Sequence, residues 1–215
     1  MAGNRSRTIA LRVGSSSLTI FPTIRGLESE RPLVREAVAE VSPRAVALPV
    51  SIEGLRGLRE LYRGKEPEVF LSHYEEIYAS HLSKYGRVSV PPPSFSEAYA
   101  ASVERGIPVK AIDLSEREYA DAFCESVSTA SLLFHSLRWR WLRRKRFREE
   151  TPEDFVLAWD RVINSLKGFR ELETKREEHM AARLRHLSGK YSSILAILEL
   201  ERTEGVVRRL RGEGN

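Results

Sequence analysis

Residues 138–148 read Arg-Trp-Arg-Trp-Leu-Arg-Arg-Lys-Arg-Phe-Arg: seven cations, three aromatic rings and no acid. Arg138, Arg140, Arg143, Arg144, Lys145, Arg146 and Arg148 form a basic surface, and the chemistry of such a surface is contact with phosphate. Interleaved rings suit RNA or single-stranded nucleic acid, through phosphate contacts and base stacking. The same composition suits an anionic membrane surface. The plain alternative is a solvated helix whose tryptophans pack onto the protein body. On a helix Trp139 and Trp141 project to different faces, so the segment is not a clean amphipathic stripe. The formal net charge is +5, and the rest of the chain sums to −2 once these seven cations are set aside. The protein is a near-neutral body with one basic segment. It carries neither a zinc-ribbon nor an RRM aromatic motif.

The other chemistry-bearing residues are sparse. His73 and His81 lie eight apart, roughly 80° around a helix. His179 and His186 lie seven apart and share a face, with no third ligand between them. No nucleophile-elbow pattern marks a Ser/His/Asp triad. Cys124 is the single cysteine, which excludes an intramolecular disulfide. Between Ala122-Phe123 and Glu125 it reads as a small core residue rather than a reactive thiol. Composition is globular, at 41% hydrophobic and 30% charged. The absence of glutamine and the excess of Arg over Lys suggest a thermophilic source. No apolar run is long enough to span a membrane and the start is polar, so the expected location is the cytoplasm.

The elements that position these residues read as an α/β fold, with a mixed or mainly parallel sheet, an N-terminal hairpin and a large helical insertion. The spacing predicts strands over 8–13 and 18–21, a helix over 32–41 and a buried strand over 44–50, hence a β-α-β unit. Helices over 52–62 and 69–84 follow. After Pro91-Pro92-Pro93, a helix over 94–105 reads as opened by a Ser94/Glu97 capping box and closed by Gly106. A strand over 108–113 comes next. Residues 114–187 read as an all-helical insertion, with pieces at 115–148, 152–167 and 169–187 and Gly168 as a break. It is placed as a cap over the strand ends, where open α/β sheets hold their ligands. A strand over 191–198 and a helix over 205–211 close a single domain spanning 1–215.

Five stretches in order carry a resemblance: Pro22-Thr23-Ile24-Arg25 followed by Gly26-Leu27-Glu28-Ser29, Val46-Ala47-Leu48-Pro49-Val50-Ser51, Glu104-Arg105-Gly106-Ile107-Pro108-Val109 through Ile112-Asp113, Glu173-Thr174-Lys175-Arg176-Glu177-Glu178-His179-Met180-Ala181, and Ile197-Leu198-Glu199-Leu200-Glu201-Arg202 up to Gly205. Together they resemble the TraB/PrgY family, which is related to the Tiki-type proteases. That family has Gly-Thr-x-His, Glu-x-Asp and Gly-x-x-His-x-x-Gly at the first, second and last stretches. Here Arg25 and Arg202 stand where its histidines belong, and Pro49 and Ser51 where its acidic pair belongs. Glu199 replaces a glycine, while Asp113 and Arg176 survive.

The resemblance implies a pocket at the strand ends, with Asp113, Glu199 and Ser51 in it. Arginine is permanently cationic and offers a metal no lone pair, so metal ligation and metal-assisted hydrolysis are not expected. Arg25, Arg202 and Arg176 are expected either to pair with carboxylates in a structural network or to hold an anion such as a phosphate or carboxylate. The expectation is a non-catalytic TraB-like domain that works by binding or assembly, without cofactor, alone or as a homo-oligomer or component of a larger assembly. The alternatives are a metal-dependent hydrolase or peptidase of the TraB/Tiki type, with Asp113 and Arg176 taking part, and an RNA- or membrane-surface-associated protein acting through residues 138–148.

Overall fold

The computed structural model of the chain describes residues 7–66 and 71–213. Within them a five-stranded sheet runs in the order β1-β2-β5-β3-β4. Strands β1 (Ile9–Val13) and β2 (Ser16–Thr23) form the antiparallel hairpin. Strands β2, β5 (Ser193–Glu199), β3 (Ala45–Leu48) and β4 (Val109–Ala111) are parallel. The architecture is therefore α/β with a mixed sheet.

Period-two alternation splits the buried strand residues between two faces. Leu18, Ile20, Ala47, Ile194, Ala196 and Leu198 face α8 (Lys167–Ser188) and α9 (Leu200–Leu210), meeting Met180, Leu184, Leu187 and Val206. Phe21, Val46, Leu48, Leu195 and Ile197 face α1 (Glu30–Val41), α2 (Ile52–Tyr62) and α4 (Pro93–Glu104), meeting Val34, Val38, Leu58, Phe95 and Ala98. The helix after β5 thus lies on one face and the helices after β2 and β3 on the other. Strand β5 stands between β2 and β3, so the sheet has its topological switch at β5, where α/β sheets open a crevice at their carboxyl edge.

Local signals account for most helix starts. Ser51 caps α2 by accepting from Gly54 N at 2.9 Å. Ser72/Glu75 and Ser115/Glu118 form capping boxes for α3 (His73–Leu82) and α5 (Glu116–Ser126). Thr151 caps α7 (Pro152–Ile163), with Pro152 in its first turn.

Several expectations need correction. The helical piece over 115–148 is two helices: Val127 leaves the helical conformation, Ser128 caps α6 (Thr129–Arg144), and residues 145–148 are not helical. The Ser94/Glu97 capping box does not form, because α4 begins at Pro93 and buries Ser94 inside its first turn, while Glu97 pairs with Arg31 and Arg35. Gly168 breaks nothing: it lies in the first turn of α8, where a Cβ would collide with the Ser126 carbonyl. The last helix begins at Leu200 rather than Gly205. Cys124 is exposed, not core, since Ala122 is the residue that α5 buries. The expected start of the second helix at Val69 lies outside the described residues, and α3 begins at His73.

The inserted stretch between β4 and β5 divides. Helix α8 lies on the sheet, with α5 against it through Phe123 and Phe169. Helices α6 and α7 join α3 in a third, aromatic-rich cluster built on Ile24 and Leu27 just beyond β2, with Leu82, Leu142, Phe147, Phe155 and Trp159. No helix among the described residues is long and apolar enough to cross a membrane.

Candidate functional site

Thr23 and Glu199 are register partners at the ends of β2 and β5, and Leu48 and Ala111 at the ends of β3 and β4. The segments beyond these ends bring Arg25, Pro49, Val50, Asp113, Glu199 and the first turn of α9 to one sheet edge. There a continuous ionic network alternates in sign. Glu75 of α3 lies 3.9 Å from Arg25, and Arg25 lies 3.7 Å from Glu199. Glu199 lies 3.6 Å from Arg176, which also holds Asp113 at 2.5 Å and Glu173 at 2.8 Å. Glu173 reaches Arg202 at 3.4 Å, and Arg202 also binds Glu177 at 3.2 Å and Asp160 of α7. Glu177 closes the series on Arg209 at 2.8 Å.

Arg25 and Arg202 therefore leave the same sheet edge and belong to one network, but they face different surroundings. Arg202 is 4% exposed and enclosed by α7 and α8. Gly205, one turn along α9, makes this possible: a Cβ there would collide with the Glu177 carboxylate. Arg25 sits in a cleft, with a side chain 41% exposed and both ion-pair contacts longer than a hydrogen bond. Its peptide carbonyl accepts from the Tyr78 hydroxyl at 3.2 Å.

The network is rich in acid. Burial raises Glu177 to about 7 and also raises Glu173, against the pull of neighbouring arginines. Burial and the adjacent Glu199 raise Glu201, whose Oε2 is buried without a hydrogen-bond partner. Burial lowers Arg202 to about 10, which leaves it charged at neutral pH. Burial also works against Arg25 and Arg176, but Glu199 and the other acids outweigh it and raise both.

The cleft has a volume of about 750 Å³. Arg25, Arg176 and Glu199 supply its polar end; Leu58 and Leu61 of α2 and Pro92 and Phe95 at the start of α4 supply apolar walls. Two expected pocket residues lie elsewhere. Ser51 is the α2 cap. Asp113 is turned to Arg176 and the Leu114 N–H, and borders a neighbouring depression instead. Arg202 lies outside the cleft lining. Asp160, Glu173 and Glu177 were not singled out by sequence. Glu173 carried one signal, lying three positions before Arg176 and so on the same face of α8; Glu177, next to Arg176 in the chain, carried none.

The histidines do not converge. His73 is exposed beside Glu76 at 3.6 Å, and His81 Nε2 meets the Leu142 carbonyl at 3.2 Å. His135 is stacked between Tyr74 and Phe169, and burial lowers it to about 4. Among the described residues, no group of three His, Cys, Asp or Glu is placed to hold a metal ion.

The basic surface is partly engaged. Arg138 points inward, donating to Ser165 Oγ at 2.8 Å and the Val162 carbonyl at 3.1 Å. Lys145 is half-buried against the Trp141 and Phe147 rings. Arg140, Arg143, Arg144, Arg146 and Arg148 are exposed. Trp139 packs inward beside His73, and Trp141 faces solvent. No family model matches this chain, and no curated protein matches it.

Proposed function

We propose that the chain is a TraB-like domain without metal catalysis, which works by binding a small organic acid in the carboxyl-edge cleft. The observation that carries this reading is Arg25: a guanidinium in the cleft whose carboxylate contacts, at 3.7 and 3.9 Å, are too long to be hydrogen bonds. A carboxylate or phosphate in front of it gains charge-assisted hydrogen bonds that Glu199 and Glu75 do not make. Leu58, Leu61 and Phe95 give an apolar body a place beside that acid end. The anion site expected at Arg25 and Arg202 thus reduces to Arg25, with Arg176 behind it, because Arg202 is consumed by Asp160, Glu173 and Glu177. The hydrolase alternative would place arginine at two ligand positions, and arginine cannot ligate.

Calorimetric titration with alkyl carboxylates and alkyl phosphates of increasing chain length tests the reading. Binding should strengthen with chain length and weaken at least tenfold in Arg25→Met. If neither series binds, or Arg25→Met binds both equally well, the cleft is not an organic-acid site.

A further inference from the structure

Helix α6 packs against α3 and α7 with His135, Arg138, Trp139 and Leu142. Its opposite face carries Leu133, Leu137 and Trp141 one helical turn apart, with Phe134 beside Leu137. These four large apolar side chains are 63%, 69%, 51% and 56% exposed, in that order. Contiguous exposure of this kind marks an interaction surface rather than ordinary surface scatter. Arg140 and Arg144 sit at the far end of the same face, and Arg143, Arg146 and Arg148 are exposed beside them. The face is thus divided lengthwise: apolar toward its N-terminal end, cationic toward its C-terminal end.

We infer that this face of α6 docks on an anionic lipid surface. A lipid–water boundary presents acyl chains and phosphate groups a few ångströms apart in depth, so one tilted helix satisfies both halves at once. Leu133, Phe134 and Leu137 enter the acyl boundary, and Arg140, Arg143, Arg144 and Arg146 remain at the phosphates. Trp141 lies between the two halves, at the level where amphipathic rings settle. A nucleic acid uses the cations but gives Leu133 and Leu137 nothing to bury against. A second copy covers the apolar half but brings a second set of unmatched arginines. The α6 N-terminal turn contains no acid, so nothing in that turn opposes approach to anionic headgroups.

The test is flotation of the full chain with vesicles of equal parts phosphatidylglycerol and phosphatidylcholine, against phosphatidylcholine alone. Preferential flotation with the anionic vesicles is expected. Arg143→Ser, Arg144→Ser and Arg146→Ser combined should weaken it on the order of a hundredfold. Leu133→Ser and Leu137→Ser combined should weaken it at least tenfold; all five positions are exposed, so folding is retained. A second readout is tryptophan quenching by brominated lipid, expected for wild type and strongly reduced in Trp141→Phe. No flotation, equal flotation with neutral vesicles, or quenching untouched by Trp141→Phe overturns the inference. So does retention on an RNA column without lipid binding, or a concentration-dependent dimer that Leu137→Ser abolishes while vesicles remain unbound.

Discussion

Arg25 and Arg202 are delivered to one sheet edge by adjacent strands, yet one is enclosed and the other is open. Arg202 enters α9 facing the interior, where Gly205 lets the Glu177 carboxylate come up against the helix. Three acids from two other helices then surround it. Arg25 lies on a loop after β2, and its carboxylate contacts stay long. The same side chain is a structural bond in one place and an available charge in the other. Enclosure by neighbouring helices, not residue type, decides between them.

The sharpest way to break this contrast is to remove the enclosed charge. Arg202→Met leaves Asp160, Glu173 and Glu177 without their shared cation, and the expected loss of stability is about 3–5 kcal/mol. Denaturant unfolding measures it. A loss no larger than that of a surface pair would mean the enclosed network contributes little.

The second test concerns protons. Folding raises the Glu177 carboxyl from 4.5 to about 7. The folded state therefore keeps a proton that the unfolded chain releases. The stability this contributes is fully present below about 4.5 and is lost as pH rises through about 7. Glu177→Gln removes that dependence. Its stability relative to wild type should improve on the order of 3 kcal/mol between pH 4.5 and 7.5. A flat difference across that range would show Glu177 to be ionised throughout. The half-buried His135, lowered to about 4, acts in the opposite sense, since its contribution is lost as pH falls from 6.5 through about 4. Only the difference between the two proteins is therefore diagnostic.

The smallest effect belongs to the open charge. Arg25→Met should cost less than about 1 kcal/mol, as exposed pairs do. Equal losses at Arg25 and Arg202 would erase the distinction between them.

What the chain made readable follows from range. Helix α2 spans the expected 52–62, because Ser51 and the apolar spacing are local signals. The hairpin and the buried strands were readable for the same reason. Gly168 was misjudged because its glycine answers the backbone of Ser126, a neighbour only in space. Ser94 followed by Glu97 has the pattern of a capping box, but the prolines start the helix earlier. The exposure of Leu132, Leu133, Phe134 and Leu137 has no local signal, because it depends on which neighbours α6 packs against. The sheet edge as the meeting place of Arg25, Asp113, Arg176, Glu199 and Arg202 came from the family resemblance. That Asp160, Glu173 and Glu177 would occupy Arg202 did not, because those acids lie 25 to 42 positions away.

The place of β5 in the sheet also governs the order of assembly. Its seven residues come last in chain order among the five strands of this sheet, yet it separates β2 from β3 and hydrogen-bonds to both. Until residues 193–199 emerge, the hairpin and the β3–β4 pair have no common partner, and each leaves a hydrophobic edge unpaired. A nascent chain therefore holds two unfinished half-sheets and completes its core only after the central strand inserts. That is a slow, long-range closure. A ribosome pause or truncation ahead of residue 193 leaves a chain with every helix from α1 to α8 present and no continuous sheet for them to pack on.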